Sequence, residues 1–222
     1  MKIKKKEFRN LSNKERAEKY ADIKSHDEIY LASDYSVRKK IHDKRFNILH
    51  QLMGDISNKK ILDAGAGEGY FLSSIQSNQK FGIELSEIRV KTALKLFPKL
   101  IIGVSDVRKM PFDDNSFDII VCSEVLEHVD GFLNAIEEFK RCIKPDGIII
   151  LSFPNENTVA LGRLFLLKFP IHEIDHINSI KPSDIEKSLG KNYQSSNIPK
   201  LPYPWCLYQV YKFSAKNFKN NP

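Results

Sequence analysis

The sequence predicts a doubly wound α/β fold with a mostly parallel sheet and an antiparallel final strand. Five short runs, residues 60–63, 80–85, 100–104, 117–122 and 147–153, are rich in Ile and Val and have the length of strands buried on both faces of a parallel sheet. The segments between them carry apolar residues at helical spacing, so strand and helix alternate. Between the first run and its helix lies Gly65-Ala66-Gly67-Glu68-Gly69, a turn that lets backbone approach a ligand where a Cβ would clash.

Taken in order, residues 12–53 are polar and charged, with Tyr20, Ile23, Ile29, Tyr30, Tyr35, Val37, Ile41, Phe46, Ile48 and Leu49 at loosely helical intervals. This predicts two or three amphipathic helices. Gly54 and Ser57-Asn58 break the pattern, so residues 1–58 are expected to form a helical extension and residues 59–222 the main domain. Helices are expected over 70–76, 86–97 and 131–143. Ser86 is the N-cap candidate of the second, although Arg89 rather than Glu stands at the capping-box position. Phe132, Ile136, Phe139 and Ile143 on the third are expected in the core, as are Leu161, Leu164, Phe165 and Phe169, which can also line a pocket. Pro182 opens a short helix over 182–189, and an aromatic strand over 205–213 follows the turn-rich 199–204. Such alternation calls for βαβ units with right-handed crossovers.

The 222 residues suffice for one such domain with a full core, and the 41% hydrophobic content excludes disorder over most of the length. Cys122, Cys142 and Cys206 lie far apart and form neither a disulfide framework nor a thiolate metal cluster. The basic start lacks an apolar core, which argues against a secretory signal, and no run is long enough to span a bilayer; a cytoplasmic protein is expected. A net charge of +7 permits an anionic partner, but the lysines are scattered, as on a solvated surface.

The chemistry concentrates on three acids. Asp63 ends the first run beside the glycine turn, Glu84 ends the second, and Asp106 follows the third. An acid at Glu84 suits ribose hydroxyls, and Asp106 can accept from an adenine amino group while the Val107 backbone N–H faces a ring nitrogen. Each acid alone can equally be a helix cap. A dinucleotide site wants its third glycine one place later, where Tyr70 stands.

These residues resemble the class I S-adenosylmethionine-dependent methyltransferases, of the type 11 or ubiquinone-pathway kind. Asp63-Ala-Gly-Ala-Gly-Glu-Gly69 is similar to their first motif, Glu84 to their ribose-binding acid, and Ser105-Asp106-Val107 to their adenine-binding turn. Residues 110–121 resemble the approach to their fourth strand, and Leu126-Glu127-His128-Val129 the loop after it. The resemblance implies a Rossmann-like, seven-stranded, three-layer α/β/α fold with S-adenosylmethionine as cofactor. It implies that Asp63, Gly65, Ala66, Gly67, Glu84, Leu85, Asp106, Val107 and Ser123 bind the cofactor, that Glu127 and His128 are the catalytic candidates, and that N-terminal helices cover the cofactor.

Glu124, Glu127 and His128 stand at i, i+3 and i+4, so a helical turn would put them on one side, and His176 lies downstream. That pattern is similar to a metal site of ubiquinone-pathway O-methyltransferases and of enzymes that methylate the 3′-terminal ribose of small RNAs. It implies Mg²⁺, Mn²⁺ or Zn²⁺ holding substrate hydroxyls. The expected substrate is a small molecule methylated on oxygen or nitrogen. The rivals are RNA methylation, an NAD-dependent enzyme and a non-catalytic cofactor-binding domain.

Overall fold

The computed structural model describes residues 10–23, 37–155, 177–190, 193–197 and 208–215. They build a seven-stranded sheet in the order β3-β2-β1-β4-β5-β7-β6. The strands are β1 (Ile61–Ala64), β2 (Lys80–Glu84), β3 (Ile101–Val104), β4 (Phe117–Ser123), β5 (Ile143–Pro154), β6 (Tyr193–Asn197) and β7 (Tyr208–Ala215). β1 pairs in parallel with both β2 and β4, so the winding reverses between them. β7 runs antiparallel to both neighbours, β5 and β6, as expected of the last strand.

Side-chain alternation along the central strands builds two cores. Leu62, Ile120, Cys122, Ile149 and Leu151 face one side, where they meet Ala135, Ile136 and Phe139 of α5 (Phe132–Cys142) and Ile185 and Leu189 of α6 (Pro182–Leu189). Ile61, Ile119, Val121 and Ile150 face the other, against Ile48, Leu49 and Met53 of α2 (Val37–Met53) and Phe71 and Leu72 of α3 (Tyr70–Ser74). Period-two strands between helical layers give the three-layer architecture. Each fully buried large side chain contributes about 1.5–3 kcal/mol by leaving water.

Two further helices act at the carboxyl edge of the sheet. α4 (Glu87–Leu96) is capped by Ser86, whose Oγ accepts from Arg89 N at 3.3 Å. α1 (Asn13–Ile23) opens on a capping box: Glu15 N donates to Ser12 Oγ and Ser12 N to Glu15 Oε2. Among the described residues no helix is long and apolar enough to cross a membrane.

Some boundaries differ from those the sequence suggests. β5 begins at Ile143 rather than 147, because Ile143 pairs with Phe117 before a register shift at Phe117/Ile119. A bulge interrupts alternation, which hides the strand start from periodicity. β6 is not foreseen at all. Its sequence, Tyr-Gln-Ser-Ser-Asn, is polar because it is an edge strand, and Gln194 and Ser195 are exposed. α3 stops at Ser74 because Ile75 turns to extended backbone. Tyr30, Tyr35, Leu161, Leu164, Phe165, Phe169, Cys206 and His176 lie outside the described residues.

Candidate functional site

Where winding reverses between β1 and β4, neighbouring helices leave in opposite directions and a crevice opens beyond the strand ends. The glycine turn sits at that point. Gly65 N and Ala66 N both donate to Ile83 O, at 2.8 and 2.9 Å, which bends the chain sharply over β2. Gly65 has φ +88°, and a Cβ built there would lie 2.3 Å from Val125 Cγ2. Only glycine satisfies both the angle and the space. Gly67 has φ +55° but open surroundings, so its need is conformational alone.

Glu84 binds this turn together. Its Oε2 accepts from Gly67 N at 3.0 Å, its Oε1 accepts from Ser86 N at 2.9 Å, and its backbone O accepts from Ser105 N at 2.9 Å. One residue therefore braces the turns that follow β1, β2 and β3. Leu85 beside it is half-buried.

Asp63 is 3% exposed, and its Oδ2 has no hydrogen-bond partner among the described residues. Burial first, and the charge of Glu84 second, raise its pKa to about 7. A buried carboxylate oxygen without a donor is costly unless a cation or donor arrives.

Asp106 is paired with a cation two places along the chain. Arg108 donates to it from backbone N, Nε and Nη2 at 2.7–3.1 Å. Burial works to raise this carboxyl, and the hydrogen bonds and charge of Arg108 outweigh it and hold its pKa below the ordinary value. Val107 is buried in the core beside it.

After β4 the chain does not make the α-helical turn that the i, i+3, i+4 spacing suggests. Glu124 has φ +57° and only Leu126–His128 form a short 3-10 turn. Glu124 is drawn to β5 and α2: its Oε1 accepts from Ser152 Oγ at 3.1 Å, and its Oε2 lies 3.5 Å from Arg45 Nη1. Ser123 Oγ meets Ser152 Oγ at 2.8 Å. Glu127 is 1% exposed, and His128 Nε2 lies 3.9 Å from its Oε1. The backbone O of Glu127 accepts from Ile177 N and Asn178 N, and Asn178 Nδ2 donates to Leu126 O and Val129 O. The expected metal group thus is not assembled by its described members: among the described residues no three His, Cys, Asp or Glu are grouped to hold a metal. Glu124, in the left-handed region, instead meets Ser152 and Arg45.

α1 lies across the same edge. Ser86 Oγ and Glu87 N donate to Glu18 at 2.9 and 2.8 Å, so Glu18 supplies an acceptor to the start of α4. At its other end, Asn13 Nδ2 donates to Asp130 O, and Asp130 N donates to Asn13 Oδ1. Asn13, Glu18, Arg108, Ser152 and Asn178 were not singled out by sequence. Their partners lie up to 117 residues away, as for Asn13 and Asp130, and no local pattern encodes such pairs. Arg108 is the exception, since a cation two places after Asp106 is visible in the chain.

Residues 62–151 match the family model described as a methyltransferase domain. The chain is 30% identical over 154 residues to a ubiquinone biosynthesis O-methyltransferase of Shewanella halifaxensis, covering 64% of this chain and 65% of that one. It is 28% identical over 207 residues to the same-named protein of Rickettsia bellii, covering 86% of each. The PH0226 protein of Pyrococcus horikoshii shares the fold at TM-score 0.68 and 17% identity, over 89% of this chain and 99% of that one. The chain spans about half to two thirds of the length of several curated relatives that it matches. The matched methyltransferase domain and the seven-stranded fold around its glycine turn make the chain similar to S-adenosylmethionine-dependent methyltransferases.

Proposed function

We propose that this protein transfers a methyl group from S-adenosylmethionine to oxygen or nitrogen of a small molecule. The observation that carries it is the buried, unpartnered Asp63 Oδ2 next to a glycine turn braced by Glu84. That arrangement fits a nucleoside bearing positive charge. When bound, S-adenosylmethionine supplies an electrophilic methyl group on a sulfonium sulfur.

The chain's own residues bind, orient and exclude water. Asp63 offers its free oxygen to the cationic amino acid end, and Glu84 keeps lone pairs for ribose hydroxyls beyond the two it gives to backbone N–H groups. Gly65, Ala66 and Gly67 bring backbone close to the ligand, flanked by Leu85, Val107 and Ser123. Rate then depends on holding the acceptor in line behind the methyl group. For an acceptor that carries a proton, His128, part-exposed, is the group placed to take it. Glu127, buried and 3.9 Å from His128 Nε2, is a positioning residue.

α1 is the lid in this proposal, held by Glu18 and Asn13, with α2 as a wall packed into the core. Glu18→Ala should remove about 1 kcal/mol of docking energy and speed dissociation of S-adenosylhomocysteine about fivefold. Stopped-flow release that stays unchanged in a folded variant would reject the lid.

Asp63 makes binding pH-dependent. In the free protein its pKa of about 7 means that it holds a proton through mildly acidic pH. A bound ammonium favours the ionised form, so affinity for S-adenosylhomocysteine should rise from pH 5 to 7 and level off above. Without ligand the sign is opposite: the folded pKa is raised, so this group's contribution to stability is present at low pH and is lost as pH rises through about 7. Calorimetry across pH, with Asp63→Asn as the flat control, checks both. A wild-type affinity that does not vary with pH contradicts the assignment.

The function is tested by titrating S-adenosylhomocysteine into the folded protein and by following labelled methyl transfer to phenols, amines and RNA. Measurable heat and label in a small molecule are expected. No heat rejects the cofactor, and label in RNA alone rejects the small-molecule acceptor.

A further inference from the structure

The Asp106 carboxylate has about four lone-pair sites. Three N–H groups of Arg108 engage both oxygens: backbone N donates to Oδ1 at 2.8 Å, Nη2 to Oδ2 at 2.7 Å, and the single Nε hydrogen straddles the two at 3.1 Å. Neither oxygen is left without a donor. The guanidinium is also fastened from behind, because Nη1 donates to Asp130 O at 3.1 Å, the carbonyl that accepts from Asn13 Nδ2. Swinging Arg108 aside therefore breaks a bidentate ion pair and the link to the loop under α1 together. The pair is part-exposed, at 34% for Arg108 and 27% for Asp106, so it is reached by solvent rather than sealed in the core.

An acid that reads an adenine amino group does so best with an oxygen to itself. Both oxygens of this one are already shared with a cation. We propose that Arg108 sets base selection in the cofactor site: it occupies Asp106, so that the 6-position of the base meets guanidinium N–H groups and the amino group is not required. This rests on the cofactor assignment made above. The base is then recognised by shape and by backbone, with the Val107 N–H the nearest candidate. A 6-carbonyl, which accepts hydrogen bonds, is tolerated where an acid alone would repel it.

The test compares S-adenosylhomocysteine with S-inosylhomocysteine, in which the 6-amino group is replaced by a carbonyl, by calorimetry on the full chain. The wild type should bind the two within about threefold. Arg108→Ala, which frees Asp106, should prefer the adenosyl form by about tenfold or more, as a site with an unpaired acceptor does. Arg108→Lys should fall between, since an ammonium keeps the charge but not the fork. A merely structural Arg108 would change both affinities equally and leave their ratio alone, which overturns the proposal. Wild-type discrimination above tenfold that Asp106→Asn abolishes also overturns it, whether or not the Arg108 variants fold. Failure of the wild type to bind either ligand overturns the cofactor assignment along with it.

Discussion

Replacing Gly65 with alanine is expected to abolish S-adenosylhomocysteine binding and to destabilise the fold by about 2–5 kcal/mol. Two independent costs add. A φ of +88° is strained for any residue with a Cβ, and the new methyl would meet Val125 Cγ2 at 2.3 Å. Val125 lies between Glu124 and the 3-10 turn, so pushing it away shifts the residues proposed to face the acceptor as well as the turn itself. Urea melts and calorimetry on the same preparation separate the two consequences. Retention of wild-type affinity would mean that the turn is not the cofactor cradle. Gly67→Ala is the informative contrast: strain without a clash, and hence a smaller loss.

Glu84→Ala is expected to have the second-largest effect, lowering cofactor affinity about 100-fold through the loss of charged hydrogen bonds. Gly67 N and Ser86 N would both lose their acceptor, at about 1–3 kcal/mol each if they stay buried. Glu84→Gln keeps one acceptor oxygen but sets an NH₂ against the other N–H, so it should rescue stability only in part. If Glu84→Ala melts earlier yet binds S-adenosylhomocysteine with wild-type affinity, the residue is a brace and not a ribose acceptor. Calorimetry at a temperature well below both melting transitions decides.

The two variants probe features of different legibility. The strands β1 to β4 and helices α3, α4, α5 and α6 could be placed to within a few residues, because each is encoded by its own apolar period, cap or proline. Asp63, Glu84 and Asp106 could be nominated because each stands at the end of such a run. β6 could not, since an edge strand needs no apolar period, and neither could the start of β5, which a bulge obscures.

The site divides in the same way. Which residues ring the crevice follows from strand ends, and strand ends are local. What those residues do to one another is set by approach in space. Glu124, Glu127 and His128 have helical spacing, yet Glu124, in the left-handed region, meets Ser152 and Arg45. Asp106 looks available in the chain and is sequestered by Arg108 in the fold. Asn13 and Glu18, in a polar stretch without a motif, turn out to hold α1 over the carboxyl edge. The order of elements, the glycine turn and its acids are thus written in short-range pattern, which the chain carries whether folded or not. Partnership between charges depends on directional contacts a few ångströms long between distant segments, and those exist only once the sheet has closed.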